Sequence, residues 1–342
     1  SIRTPLSIDF QKKAINSLRK GIEAYDKRHG WRGPITNTKN NSNWKNKIDQ
    51  LKIDPTLNWK IAEIKSLDNS KINFQTLKGN SDVIVASKLK WALPNKKEIT
   101  DRFKVGDLIF VKKEKKLWSL KQYPKVNGGI VVIEPYTGDV KALAGGFNFK
   151  SSEFNRVTQA KRQPGSAFKP IVYAAALENG YSPNSIVLDA PFIESQGVGL
   201  KDWKPENYGK KFYGLSTLRV GLEKSRNLMT VRIAQDLGLK KIVNFSKKLG
   251  IYENPNELLS ISLGSAETTL LKLTSAYCSF VNGGKLVKPI LIDRIQDSEG
   301  NTIFNNEKRI CKSCNEISYL GNKTPKISDN FEQVISPQTA YQ

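Results

Sequence analysis

Hydrophobic and polar positions follow three different rhythms along this chain of 342 residues. After a short extended start, the stretch from Asp9 to Lys27 repeats with a helical period. It places Ala14, Ile15, Leu18 and Ile22 on one face, which predicts an amphipathic helix. From about residue 37 to 125 the runs shorten to a strand-like pattern. They are Trp59-Lys60-Ile61-Ala62-Glu63-Ile64, Ile72-Asn73-Phe74-Gln75-Thr76-Leu77, Asp82-Val83-Ile84-Val85-Ala86 and Asp107-Leu108-Ile109-Phe110-Val111-Lys112. Turn formers such as Asp68-Asn69 and Gly79-Asn80 separate them, so a small β-barrel is expected.

Beyond residue 126 the pattern is mixed. Gly129-Ile130-Val131-Val132-Ile133 reads as a buried strand, and Val140-Lys141-Ala142-Leu143-Ala144 as its hairpin neighbour. Helical patterns follow from Ser166, from Leu215 to Leu222 and from Leu228 to Leu237, the last stopped by Gly238. Val287-Lys288-Pro289-Ile290-Leu291-Ile292-Asp293 is expected to be a further strand. The chain thus divides into a linker helix (1–36), a barrel (37–125) and an α/β region (126–342). The fold class expected is multidomain α+β.

Charge and composition narrow the chemistry only partly. A net charge of +23 invites a nucleic-acid reading, but Lys far outnumbers Arg and is scattered along the chain. An anionic membrane surface or wall polymer would account for the charge equally well. The run Lys112-Lys113-Glu114-Lys115-Lys116 reads as a solvated hairpin edge. Cys311 and Cys314 supply half a tetrahedral metal site with no histidine nearby, so a local disulfide is favoured; a redox pair and free thiols remain alternatives. Cys278 sits in an apolar helical stretch and reads as core. The single histidine, His29, ends the linker helix, which rules out a Ser–His–Asp triad built on any other residue.

The stretch that carries chemistry is Gln163-Pro164-Gly165-Ser166-Ala167-Phe168-Lys169-Pro170. Pro164 and Gly165 break what precedes them, and Pro170 is tolerated only in a first helical turn. A helix is therefore predicted to start near Ser166, with Lys169 one turn on and on the same face. A lysine whose pKa is lowered can take the proton of a serine nucleophile. The helix's free N–H groups can receive charge developing on an attacked carbonyl. Ser-x-x-Lys also occurs at Ser17/Lys20, Ser42/Lys45 and Ser87/Lys90, where a solvated helix face is the ordinary reading. Only the fourth copy has the Pro-Gly entry, the Pro exit and a preceding hairpin.

Ser225 and Asn227 lie where two helical patterns meet, so a hydroxyl and an amide can project into a cleft. Proton relay suits Ser225, and hydrogen bonding to a substrate amide suits Asn227; the plainer alternative is a helix cap. Ser-x-Asn also occurs at Ser182/Asn184, Ser313/Asn315 and Ser328/Asn330, but only 225–227 is flanked by two good helices.

Gly165-Ser166-Ala167-Phe168-Lys169-Pro170, with Ser225-Arg226-Asn227 about sixty residues on, resembles the penicillin-binding serine D,D-transpeptidases, a class marked by Ser-x-x-Lys, a Ser-Asp-Asn element and Lys-Thr-Gly. The resemblance extends to Gly129–Asp139, to Arg162-Gln163-Pro164-Gly165-Ser166 and to Trp203-Lys204-Pro205-Glu206-Asn207. It continues through Leu263-Gly264-Ser265-Ala266-Glu267-Thr268-Thr269 and Asn282-Gly283-Gly284-Lys285. These look like class A penicillin-binding proteins of Gram-negative bacteria, as does Glu23–Pro34 in the linker. The resemblance implies an OB-like barrel at 37–125 and a β-lactamase-like transpeptidase domain at 126–342.

The resemblance further implies Ser166 as nucleophile toward D-Ala-D-Ala stem peptides, Lys169 as base, Ser225 as relay and Asn227 as substrate contact. β-Lactams would acylate the same serine, and no metal or organic cofactor is required. Stem peptides, β-lactams and a lipoprotein or wall-synthesis partner for the barrel are the expected partners, with no nucleic acid. The family acts at the periplasmic face of the inner membrane, held there by an anchor, and carries a glycosyltransferase domain. This chain contains neither a run of 18 apolar residues nor a Lys-Thr-Gly triplet. The family places that triplet beyond a stretch like Ile335–Gln342, so a C-terminally truncated domain with little activity of its own is expected. Competing readings are a β-lactamase-like hydrolase, a β-lactam receptor and a non-catalytic scaffold.

Overall fold

The computed structural model describes the chain apart from residues 52, 95–96, 196, 198, 307–309, 312–326 and 329–330. The chain forms two compact units, one of residues 15–129 and 144–155, the other of 1–14, 130–143 and 156–342. It opens with strand β1 (Ile2–Arg3) and helix α1 (Ile8–Arg28). Asp9 in the first turn and Lys27 and Arg28 in the last suit the helix dipole. Ala14 and Ile22 are buried, as the apolar face predicts, and His29 follows the helix end.

The first unit holds β2 (Thr36–Asn37), α2 (Trp44–Asp49), β3 (Lys60–Leu67), β4 (Lys71–Thr76) and β5 (Ser81–Val85), followed by α3 (Ile99–Arg102), β6 (Asp107–Glu114) and β7 (Leu117–Lys121). The sheet order is β2-β6-β3-β4-β5, with β7 also on β6, and the strands pair antiparallel. The four predicted strands are present, and the lysine run sits at the β6–β7 hairpin tip, where Glu114 faces Leu117. The expected barrel is not closed by a backbone ladder: among the described strands β5 and β7 do not pair. Instead Trp118 Nε1 on β7 donates to the Asp82 carboxylate on β5, so side chains bridge the gap.

Alternation explains the core of this unit. Ala62 and Ile64 on β3 and Ile72 and Phe74 on β4 point into a cluster with Trp31, Phe103 and Leu120. β6 is buried on both faces. Ile109 and Val111 join that cluster, whereas Phe110 packs the other way with Ile22, Trp59 and Phe147. Ion pairs fasten the second half of α1 to this sheet. Lys121 reaches Glu23 at 2.7 Å, and buried Asp26 takes both Nη atoms of Arg32 at 2.9 Å. The guanidinium and neighbouring amide donors hold the Asp26 carboxyl below its ordinary pKa against the upward push of burial.

The second unit contains β8 (Ile130–Ile133) and β9 (Val140–Ala144), which form a two-stranded sheet. β8 is half-buried throughout rather than buried as its apolar run predicts, because among the described strands it pairs only with β9. A 3-10 turn (Gly165–Phe168) leads into α4 (Lys169–Glu178), and β10 (Ile186–Asp189) pairs with β11 (Gly214–Thr217). α5 (Leu218–Glu223), α6 (Asn227–Leu237), α7 (Leu239–Lys248), α8 (Leu270–Val281), β12 (Arg294–Gln296), β13 (Thr302–Asn305), the paired short strands β14 (Ile310–Cys311) and β15 (Ile327–Ser328), and α9 (Pro337–Tyr341) complete it. β1 adds to β12 and β13 to make a three-stranded sheet. α4 is apolar nearly all round and lies at the centre of the core, packed with Leu228, Met229, Ile233 and Ile242.

The structure departs from the sequence pattern in two places. Residues 215–217 are strand rather than helix, because they pair with Leu188–Ile186; the helix starts only after Thr217, whose hydroxyl caps it. Residues 287–293 make a single bridge, Ile290 to Asp139, rather than a strand. Pro289 has no N–H to donate there, and regular pairing resumes at Arg294.

Candidate active site

Lys169 opens α4 with 1 % of its surface exposed, the only one of the four Ser-x-x-Lys lysines that is buried. Lys20, Lys45 and Lys90 are exposed, as are the serines that precede them. The three hydrogens of the Lys169 ammonium meet three oxygens. These are the Ser225 carbonyl at 2.6 Å, the Ser225 hydroxyl at 2.9 Å and Asn227 Oδ1 at 2.6 Å. No carboxylate is among these partners. Burial without a counter-charge lowers the Lys169 pKa from 10.5 to about 8.

Ser166 lies one turn earlier, and its carbonyl accepts from the Lys169 N–H. Its side chain is exposed, and neither its hydroxyl nor its N–H has a hydrogen bond among the described residues. The turn is held from behind. Gly165 takes a φ of 57° and donates to the Gly264 carbonyl at 3.2 Å. Gly264 must itself be glycine, since a Cβ there would lie 2.3 Å from the Gly165 oxygen. Arg162 and Thr268 exchange backbone hydrogen bonds of 2.9 and 3.0 Å, and the Tyr277 hydroxyl donates to the Ala167 carbonyl at 2.7 Å.

The elbow at 225–227 has a specific backbone cause. The Ser225 N–H donates to the Leu222 carbonyl and the Arg226 N–H to the Gly221 carbonyl, a Schellman ending for α5. The residue after such a helix's cap is usually glycine, because it must be left-handed. Here it is Ser225, at φ 53°. That conformation turns both its carbonyl and its hydroxyl onto Lys169. Ser225→Gly is therefore expected to be more stable than Ser225→Ala by about 1 kcal/mol, since only glycine relieves the left-handed backbone. Denaturant melts of the two variants check this, and equal stabilities would remove the argument.

Asn227 starts α6 with both ends of its amide engaged, Oδ1 by Lys169 and Nδ2 by the Glu206 carbonyl at 2.7 Å. The second Nδ2 hydrogen has no partner among the described residues. The structure therefore groups Lys169, Ser225 and Asn227 by direct hydrogen bonds and places Ser166 in the adjoining turn. The alternative pair Ser182/Asn184 lies in the turn between α4 and β10 and makes no hydrogen bond to Lys169. Ser313, Asn315, Asn330 and Cys314 lie outside the described residues, so the Cys311/Cys314 reading falls there as well. Cys278 is buried, and burial pushes its thiol up to about 11.

Sequence reasoning missed three residues beside this site. Asp189, fully buried, accepts from Arg226 and from Asn207. Asn207 was visible as the end of the Trp203–Asn207 motif, and Arg226 as the middle of Ser225–Asn227, but neither motif indicated a contact. Asp189 closes an alternating strand and carries no local signal at all.

The profile of the penicillin-binding protein transpeptidase domain matches residues 128–340, and that of the penicillin-binding protein OB-like domain matches residues 31–126. The chain belongs to the penicillin-binding protein transpeptidase family. Its two matched regions are those of a class A penicillin-binding protein. It is 44% identical to penicillin-binding protein 1A of Rickettsia conorii over 92% of this chain and 40% of that protein. It is 32% identical to the Escherichia coli protein of the same name, over 92% of this chain and 39% of the other. The chain thus spans about two fifths of the length of these relatives. The crystal structure of penicillin-binding protein 1A from Haemophilus influenzae superposes with a TM-score of 0.82 at 29% identity, over 99% of this chain and 52% of that one. No helix among the described residues is long and apolar enough to cross a membrane.

Proposed function

We propose that this region carries out acyl transfer through Ser166 on the D-Ala-D-Ala end of peptidoglycan stem peptides, and that β-lactams acylate the same hydroxyl. One observation carries the reading: a buried lysine with no anionic partner, tied to Ser225 and Asn227, one turn from an exposed serine whose hydroxyl is free.

The steps follow from the chemistry of these groups. A Lys169 amine with a pKa near 8 is partly neutral at physiological pH and accepts the Ser166 proton as the oxygen attacks the carbonyl. The free Ser166 N–H at the start of the helical turn donates to the developing oxyanion. The proton then passes from Lys169 by way of the Ser225 hydroxyl, 2.9 Å away, to the departing D-Ala nitrogen. The C–N bond breaks, leaving the remaining stem as an ester on Ser166. An amine of a second stem attacks the ester, forms the cross-link and returns a proton to the Ser166 oxygen. Asn227 uses its remaining amide hydrogen to orient the stem's peptide carbonyl. These roles require no metal or organic cofactor.

We further propose that residues 126–342 work as the transpeptidase domain at the periplasmic face of the inner membrane, and that 37–125, following the 1–36 linker, dock a wall-synthesis partner such as a lipoprotein. The test of the central claim is incubation of the full protein with benzylpenicillin, followed by peptide mass spectrometry. One adduct on the peptide that contains Ser166 is expected. A folded protein without an adduct would favour the scaffold reading, and rapid turnover of the drug the hydrolase reading.

A further inference from the structure

Asp189 stands at the end of β10 with none of its surface exposed, and the proton path above does not use it. Its carboxylate accepts from Asn207 Nδ2 at 2.7 Å and from Arg226 Nη1 at 2.9 Å. Paired with Arg226, a carboxylate offers acceptors only, so it decides which way round the Asn207 amide lies. Nδ2 gives one hydrogen to Asp189 and the other to the Lys211 carbonyl at 2.9 Å. Oδ1 is thereby turned toward α6, where it accepts from the N–H groups of Asn227 at 2.9 Å and Leu228 at 3.3 Å.

Those are the first two residues of α6, and the helix's own N-cap, Arg226, supplies no side-chain bond to them. Arg226 is instead drawn to Asp189 and lies over the Tyr213 ring. The left-handed Ser225 is thus followed by two residues that both answer to one buried carboxylate. Arg226 does so directly, and Asn227 through Asn207. Nothing in this arrangement contributes a large apolar contact; its content is orientation.

We propose that Asp189 and Asn207 are positioning residues for acyl transfer: they hold the Ser225–Asn227 elbow in the geometry that presents three oxygens to Lys169. The inference rests on the reading of Ser166 and Lys169 as nucleophile and base. Asp189→Asn places an amide where two donors converge, so the Asn207 amide loses its enforced orientation. Asn207→Leu removes the link while leaving the Asp189–Arg226 pair in place. Each is expected to slow acylation of Ser166 by about tenfold to a hundredfold, the scale of one buried hydrogen bond read through a reaction barrier.

The experiment measures the rate of benzylpenicillin adduct formation on the full protein, normalised to the folded fraction from thermal melts. Slow single variants whose rate, measured across pH, has a displaced midpoint are the expected result, since a shifted elbow changes the oxygens around the Lys169 amine. Single variants as fast as wild type overturn the proposal, as do slow ones that keep the wild-type midpoint. If one single variant fails to fold, the other decides. A wild-type protein that forms no adduct overturns the reading of the site itself, which keeps the two failures distinct.

Discussion

A Ser166→Ala variant is expected to form no covalent benzylpenicillin adduct while keeping the wild-type fold. The side chain is exposed and makes no hydrogen bond among the described residues, so its loss should change stability by no more than about 0.5 kcal/mol. Alanine suits the helical turn as well as serine does. The Lys169 amine keeps all three of its oxygens, since none belongs to Ser166. The variant thus isolates the nucleophile from the machinery around it. Intact-mass spectrometry after long incubation, beside a thermal melt, checks both halves. Among the described residues Ser225 is the one hydroxyl bonded to Lys169, and an adduct that moved there would reassign the nucleophile.

Lys169→Met is expected to lower the acylation rate by about 10²–10⁴, the usual contribution of a positioned general base. Methionine fills similar space but cannot take the Ser166 proton, so the serine must lose it to water. In the wild type the rate should rise with pH through about 8, because only the neutral amine accepts a proton. The variant should lose that rise. A variant with an unchanged rate, or with the same pH midpoint, would remove Lys169 as the base.

The same substitution has a stability consequence with a definite sign. Burial lowers the folded-state pKa of Lys169 below its unfolded value of 10.5. Between about 8 and 10.5 the unfolded chain therefore binds a proton at this lysine that the folded chain does not. Stability contributed by this group rises with pH over that window, and below it the full penalty of a buried charge applies. Relative to Lys169→Met, the wild type should gain melting temperature as pH rises from about 8 toward 10.5. A constant difference across that range would contradict the burial argument.

Much of this protein can be read without coordinates because its signals are local. The α1 stripe, the strands of residues 60–85 and 107–114, and the Pro-Gly entry to the α4 turn depend only on neighbouring residues. Ser166 and Lys169 are three residues apart, so a single turn settles their relation. The resemblance of the motifs to penicillin-binding transpeptidases likewise rests on short runs of sequence. Where reading failed, the deciding partner was distant: Leu215 became strand because Leu188 lay beside it, and Ile290 made only one bridge, to Asp139.

Local pattern is enough to mark which residues could react and the elements that bear them. Long-range packing is what buries Lys169 and leaves Lys20, Lys45 and Lys90 exposed, and burial moves the Lys169 pKa toward neutrality. It also decided that Ser225 adopts a left-handed backbone, and that Asp189, through Asn207, sets the start of α6. The reason is physical. Periodicity and turn chemistry act over a few residues, but desolvation and the orientation of an amide depend on groups that only folding brings together.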